Sequence, residues 1–366
     1  AMSGGVDSSV AAYLLIQQAY EVEGLFMKNW EEDDGTEYCT AKEDFADAEQ
    51  VCAKLGIPLR VANFAAEYWD NVFEDFLSDY KAGHTPNPDV LCNREIKFKH
   101  FAAYANTLGA DFIATGHYVR WQGDGLTRRL AKAKDASKDQ SYFLQAVPSQ
   151  ALNNSLFPLG DLLKTQVRAM AEKVGLHNHQ RKDSTGLCFI GERRFQDFLG
   201  RFINDKKGRT VDPQGRRLAE HNGLHNFTIG QRQGIALGGL KNRPEAPWYV
   251  VAKVAKDPND TKDDSSDRLV VSQQATDLDG SWLRASEANW FVEPKCPLTC
   301  SAKIRYRQSD QACRVTQAAN GELLVKFDSP QRAIANGQYI ALYDGDSLLG
   351  GAKIKTSPTS ALQLKF

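Results

Sequence analysis

The chain has 366 residues, 42% of them apolar and 25% charged, an ordinary balance for a protein of two or three globular domains. No apolar run approaches the ~18 residues that cross a membrane. Seven cysteines, an odd number scattered along the chain, do not make the framework of a secreted disulfide scaffold. A cytoplasmic protein in a reducing compartment is expected, in which any disulfide would be catalytic and transient. The net charge of −1 hides an asymmetry: residues 1–80 carry 4 Lys/Arg against 17 Asp/Glu (−13), residues 81–250 carry 26 against 15 (+11), and residues 251–366 carry 15 against 14 (+1). A basic middle in a near-neutral chain suits a surface directed at a polyanion, and equally a set of solvated helix faces.

The run Ser3-Gly4-Gly5-Val6-Asp7-Ser8-Ser9 opens the chain, and Val10, Ala11, Leu14 and Leu15 continue it with helical spacing. A Gly/Ser loop that opens a helix cradles anions, because free backbone N–H groups and the positive end of the helix dipole converge on it. The lysine of the Gly-x-x-x-x-Gly-Lys-Ser/Thr loop is absent. Asp7 is a carboxylate suited to a hard cation beside phosphates, or to capping its own helix. Such a loop follows a strand, and Ala1 and Met2 are expected to be the end of one whose start lies upstream. Strands are predicted at Val22–Phe26 and Leu59–Ala62, with a helix over 41–55 between them, ended by Gly56. Tyr68, Val72, Phe73, Phe76, Leu77 and Tyr80 mark one face of a further helix, and a helix over 93–108, stopped by Gly109, leads to a strand at Phe112–Thr115. This alternation predicts an α/β domain with a doubly wound parallel sheet. Ligands then sit at the carboxyl ends of the strands, which places Gly4, Gly5 and Gly116 at one edge.

Helices near 164–174 and 194–203 flank Lys182 to Gly191. After about residue 205, short segments broken by Gly208, Gly215, Gly223, Gly230 and Gly234 suggest a small central linking domain, and Asp257 to Asp267 reads as a polar surface loop. From about residue 270 strand signals dominate, with hairpin turns at Asn320-Gly321 and Asp344-Gly345. Six or so short strands there predict a C-terminal β-barrel. The expected domains are 1–203, 204–272 and 273–366.

Two cysteines stand in polar, basic surroundings. Cys92 follows Asn87-Pro88-Asp89, a helix start whether Asn87 or Asn93 is the cap, and precedes Arg94, Lys97 and Lys99. A helix N-terminus and nearby cations both raise the thiolate fraction. Cys188 lies in Asp183-Ser184-Thr185-Gly186-Leu187-Cys188-Phe189-Ile190-Gly191, with Arg181, Lys182, Arg193 and Arg194 close in sequence. Both are candidate nucleophiles, although a free cysteine is also a small buried hydrophobe. Cys296, Cys300 and Cys313 lack a fourth nearby ligand for zinc, and Cys300 alternates with Ala302 and Ile304, so barrel core is expected and no metal site is assigned. Cys52 falls on a core helix face. Cys39 has no assignment.

The opening loop resembles the pyrophosphate loop of ATP pyrophosphatases. With Asn87-Pro88-Asp89-x-x-Cys92-Asn93, Ala114-Thr115-Gly116-His117-Tyr118, Lys138-Asp139-Gln140-Ser141-Tyr142 and the Cys188 motif following in order, the whole chain resembles the bacterial tRNA-specific 2-thiouridylase family. The resemblance implies an adenine-nucleotide hydrolase-like N-terminal domain. It further implies ATP and Mg2+ as cofactors, and thiolation of the wobble uridine in a tRNA anticodon stem-loop. ATP contacts would come from Ala1, Met2, Ser3, Gly4, Gly5, Val6, Asp7, Ser8, Met27 and Gly116, with Met27 bordering the adenine, although its periodicity alone reads as core. Asn87, Pro88 and Asp89 would face the target base, and His117, Lys138, Asp139, Gln140, Arg305, Tyr306 and Gln338 would contact tRNA.

A uridine C2 carbonyl has no leaving group, so adenylation must precede replacement of its oxygen by sulfur. By resemblance, Cys188 would carry a persulfide and Cys92 would end in a disulfide with it. The sulfur would come from a persulfide-donating relay protein or a cysteine desulfurase, with no membrane partner. A small-molecule ligase of the same loop class would need neither the cysteine pair nor the basic middle. An RNA-binding module using nucleotide as a structural ligand would release no pyrophosphate.

Overall fold

The computed structural model describes residues 1–31, 41–125, 128–182, 195–235, 237, 244–256 and 266–358. Helix α1 (Val6–Gln17) follows the glycine loop, and strand β1 (Gly24–Lys28) runs parallel to β2 (Leu59–Asn63), joined to it through α2 (Ala41–Leu55). Gly24 is required where α2 packs, since a Cβ there would stand 2.8 Å from the Cys52 sulfur. A second parallel pair is β3 (Ile113–Ala114) with β6 (Ser155–Leu156). Ala1 and Met2 lie between the two pairs: Ala1 N donates to Ala114 O at 2.6 Å and Met2 N to Leu25 O at 2.9 Å. The parallel sheet is therefore laced through the chain's first two residues.

The helical face read from Tyr68 to Tyr80 is one continuous helical run, Ala65–Tyr68, a π-helical stretch Trp69–Phe73, and Glu74–Lys81. Tyr68, Val72, Phe73, Phe76 and Tyr80 are all buried in the core on which β1 and the Cys92 helix pack. That helix takes the earlier of its two possible starts, ahead of the 93–108 span that the apolar pattern marks: Pro88–Leu91 is α-helical, Cys92–Phe101 is π-helical and Ala102–Thr107 returns to α. Lys164–Val174 is helical as expected and ends on Gly175 in the left-handed conformation (φ 74°), the usual glycine stop. The predicted helix near 194–203 is Phe195–Leu199 among the described residues.

The central domain holds a four-stranded mixed sheet in the order β8-β7-β10-β9, formed by β7 (Gly208–Val211), β8 (Arg217–His221), β9 (Tyr249–Val254) and β10 (Arg268–Ser272). Six further strands follow: β11 (Asp279–Trp290), β12 (Leu298–Lys303), β13 (Gln311–Gln317), β14 (Leu323–Arg332), β15 (Tyr339–Asp344) and β16 (Ser347–Thr356). They pair antiparallel in the order β11-β14-β13-β12-β15-β16, and β16 returns to β11, closing the barrel. Asn320-Gly321 and Asp344-Gly345 lie in the β13–β14 and β15–β16 turns, where both glycines have positive φ (82° and 56°). Leu283, Ala285, Val315, Val325, Ile340 and Ile354 fill the interior.

One hairpin was not legible in the sequence. Strands β4 (Val119–Gln122) and β5 (Arg129–Lys132) pair with each other, and β5 meets the barrel where Ala131 faces Ser347 of β16. The barrel sheet thus reaches into the first domain.

Candidate active site

The loop is built on positions that exclude side chains. Gly4 has φ +76°, and a Cβ on it would lie 2.3 Å from Asp44 O. At Gly116 a Cβ would come within 2.9 Å of the Asp7–Ser8 peptide, so the end of β3 and the first turn of α1 touch backbone to backbone. Gly5 caps α1 in an extended conformation (φ −78°, ψ 158°), and a Cβ there would meet only Ser3 Oγ at 3.5 Å. The loop is rigid behind and open in front. Ser8 and Ser9 Oγ each donate to Gly5 O at 2.9 Å, while Ser3 N donates to Ser8 Oγ at 3.2 Å. The first N–H groups of a helix have no intrahelical partner, and these hydroxyls hold the loop so that they face outward. Open space at Gly5 and backbone donors for which no acceptor stands among the described residues fit a polyphosphate.

Asp7 is not a bare carboxylate. Lys164 Nζ donates to both its oxygens at 2.7 and 2.8 Å, and Tyr118 OH donates to Oδ1 at 2.8 Å. Lys164 is 7% exposed and sits at the first position of its helix, whose N-terminus Asp135 caps by accepting from Lys164 N at 2.9 Å. A cation at a helix N-terminus opposes the dipole, the one sequence signal that could have singled it out. Behind the loop, Asn178 Nδ2 donates to Gly4 O at 2.8 Å and to Ser9 Oγ at 2.9 Å, and Arg181 pairs with Asp44 and Asp47. Lys164, Tyr118, Asn178 and Arg181 come from distant segments: Lys164 and Asn178 were missed in the sequence, while Tyr118 stood out there only as part of its motif and Arg181 only as a cation near Cys188. Met27, on β1, and Ala1 are partly buried against the core that the Tyr68–Tyr80 run shares with the Cys92 helix.

Cys92 is the fifth residue of the helix that Pro88 begins, and it is 6% exposed. Asn87 is the N-cap residue, with no capping bond from its side chain. Asn93 Nδ2 instead donates to Asp89 O at 3.0 Å and Phe143 O at 3.4 Å. The barrel holds this corner: Thr85 N donates to Asn336 O at 2.8 Å, and Gln338 Nε2 donates to Thr85 O and Pro86 O at 2.9 and 3.0 Å. Gln338 Oε1 accepts from Asn87 Nδ2 at 3.4 Å. Pro88 is buried, Asn87 half-buried and Asp89 exposed.

Several residues expected at the RNA have inward-facing work. His117 is 8% exposed, packs against Phe98 and Phe157, and shares a 2.7 Å hydrogen bond with Thr115 Oγ1. Burial holds its imidazole well below the usual range and so neutral. Asp139, 5% exposed, accepts from Ala133 N, Ser141 N and Oγ, and Lys303 of the barrel. Gln140 Oε1 accepts from Tyr118 N at 2.9 Å. Lys138 is half-buried in a turn closed on Asp135 O. On the barrel, Arg305 is exposed and bonded to Arg332 O, while Tyr306 packs on Phe143 with ring centroids 4.6 Å apart. Cys188, with its motif from Asp183 to Gly191, and Cys39 lie outside the described residues. Cys52 and Cys313 are buried in cores and Cys300 is half-buried against the barrel interior.

A glycine-rich anion loop opening a helix at the carboxyl edge of a parallel sheet defines a nucleotide-binding α/β domain, here fused to a small mixed-sheet domain and a closed barrel. The tRNA methyl transferase HUP domain matches residues 1–192, the tRNA methyl transferase PRC-barrel domain residues 196–259, and the aminomethyltransferase beta-barrel domain residues 281–354. Proteins named tRNA-specific 2-thiouridylase MnmA are similar over nearly their full length. That of Pseudomonas putida is 55% identical over 97% of this chain and 94% of its own. That of Chromohalobacter salexigens is 54% identical over 97% and 91%. The chain belongs to the tRNA-specific 2-thiouridylase family.

Proposed function

We propose that this protein uses ATP to replace the C2 oxygen of the wobble uridine of tRNA with sulfur. The observation that carries the reading is the link between loop and cysteine. Gly116 lies against Asp7–Ser8, and its neighbour His117 packs on Phe98 of the Cys92 helix. The phosphate cradle and the Cys92 corner are thus two faces of one packed unit, held from the far side by Gln338.

In this reading the N–H groups from Gly4 to Asp7 hold the pyrophosphate, and the Lys164 ammonium offsets its charge. ATP supplies the adenylyl group. The uridine C2 oxygen attacks the α-phosphorus, pyrophosphate leaves, and the C2–O bond becomes breakable. Mg2+ accompanying ATP is a hard cation suited to carboxylate oxygen, and Asp7, already partly neutralised by Lys164, is the loop carboxylate it would meet.

A persulfide on Cys188 then adds its outer sulfur to C2, and AMP departs with the former oxygen. The Cys92 thiolate attacks the Cys188 sulfur, breaks its bond to the transferred sulfur, and leaves 2-thiouridine with a Cys92–Cys188 disulfide for a reductant to reopen. A persulfide-donating relay protein or a cysteine desulfurase renews the sulfur. Bringing the base to the loop requires it outside a stack, as in an anticodon loop.

Incubation with unmodified tRNA, Mg-ATP and a persulfide donor, followed by nucleoside mass spectrometry, tests the reading. Wobble 2-thiouridine and one pyrophosphate per base are expected; pyrophosphate without thiolated nucleoside would overturn it.

A further inference from the structure

We propose that Cys300 and Cys313 are an oxidisable thiol pair that closes to a reversible disulfide across β12 and β13, separate from the sulfur-transfer cysteines. The two residues are direct register partners on adjacent antiparallel strands, and their sulfurs stand 3.7 Å apart. Directly opposed residues of such a pair have Cα atoms ~4.5 or ~5.5 Å apart and side chains on one face. Both spacings fall in the range that a disulfide bridges without moving backbone.

The pair is also polarised. Cys313 is 1% exposed and lies in the barrel core, whereas Cys300 is half-buried. The hydrogen bond between them lowers the Cys300 thiol and raises that of Cys313. Cys300 is therefore both the reachable sulfur and the better thiolate. Among the described residues no group of three His, Cys, Asp or Glu stands together to hold a metal ion, and at 3.7 Å the two thiols are already in contact.

The oxidant is a small disulfide of the glutathione type. The Cys300 thiolate attacks one of its sulfurs, forming a mixed disulfide and expelling one thiolate. Cys313 then gives up its proton and attacks the Cys300 sulfur, expelling the second. Two protein thiols and one glutathione disulfide become one protein disulfide and two glutathione thiols. The bridge would staple the hairpin whose connection, residues 304–310, carries Arg305 and Tyr306.

The test uses the full chain incubated with oxidised glutathione, alkylated and digested with trypsin. Cleavage after Lys303, Arg305 and Arg307 separates the two cysteines, so a bridge appears as a linked peptide two hydrogens lighter than the sum. It should form in wild type, in Cys296→Ser and in the Cys92→Ser/Cys188→Ser double variant. It should be absent from both Cys300→Ser and Cys313→Ala. In the Cys92→Ser/Cys188→Ser background oxidation should also raise the unfolding midpoint by about 5 °C, and should not once Cys300→Ser or Cys313→Ala is added to it. Recovery of Cys313 fully alkylated, of glutathione held on Cys300 alone, or of a bridge through Cys296 would overturn the proposal.

Discussion

The ammonium of Lys164 reaches across 157 residues of chain to both carboxylate oxygens of Asp7, at 2.7 and 2.8 Å. Asp7 is thereby fixed in place, and a buried cation stands beside a loop whose own sequence has no lysine. Lys164→Ala should slow pyrophosphate release about 10- to 100-fold, the range for losing a charge-assisted contact to a reacting phosphate. tRNA affinity should change little. Because the two residues form one unit, Asp7→Ala and Lys164→Ala together should cost less than the sum of their separate effects. Additive losses in a pyrophosphate assay would mean that they act apart.

Cys188→Ser and Cys92→Ser should each abolish 2-thiouridine formation. Equilibrium binding of ATP and tRNA should stay within about twofold of wild type, since neither thiol supplies binding energy in this reading. Residual thiolation at the wild-type rate in either variant would remove that cysteine from the mechanism.

Gln338 serves the catalytic domain through Thr85, Pro86 and Asn87. Gln338→Ala should therefore lower the thiolation rate about 10-fold by loosening the corner that precedes Cys92. The salt dependence of tRNA binding should be unchanged. A flatter salt slope with an intact rate would make Gln338 an RNA contact and nothing more.

Lys138→Ala should weaken tRNA binding and reduce the slope of log affinity against log salt by about one, the signature of one phosphate contact. An unchanged slope would confine Lys138 to its turn.

Lys253 is 6% exposed where β9 meets the first domain; its Nζ donates to Phe227 O at 2.7 Å and His84 O at 3.4 Å. Burial lowers its pKa from 10.5 to about 7. Between those values the unfolded chain binds a proton that the folded chain has released, so this residue makes stability rise as pH climbs from about 7 towards 10.5. Lys253→Met should flatten that rise in urea-unfolding midpoints measured across the range.

Much of this protein was written locally. Gly4 and Gly5 ahead of a helical apolar pattern, the 41–55 helix stopped at Gly56, and the Asn-Gly and Asp-Gly turns of the barrel each express backbone preferences settled within a few residues. Those elements appear where the pattern placed them. The Cys92 helix began earlier than its apolar spacing suggested, because Pro88 sets the first turn and a π-helical stretch breaks the 3.6-residue period.

What the chain order could not disclose is which distant groups meet. Lys164 on Asp7, Asp139 on Lys303, Gln338 on Thr85 and Pro86, and Cys300 facing Cys313 depend on sheet register and domain packing. Strand pairing closes a sequence separation of thirteen residues, and domain packing one of more than two hundred and fifty, to the same few ångströms. A local pattern is blind to that distance, because the free energy that closes it comes from burying the cores between the elements, not from the residues that end up in contact.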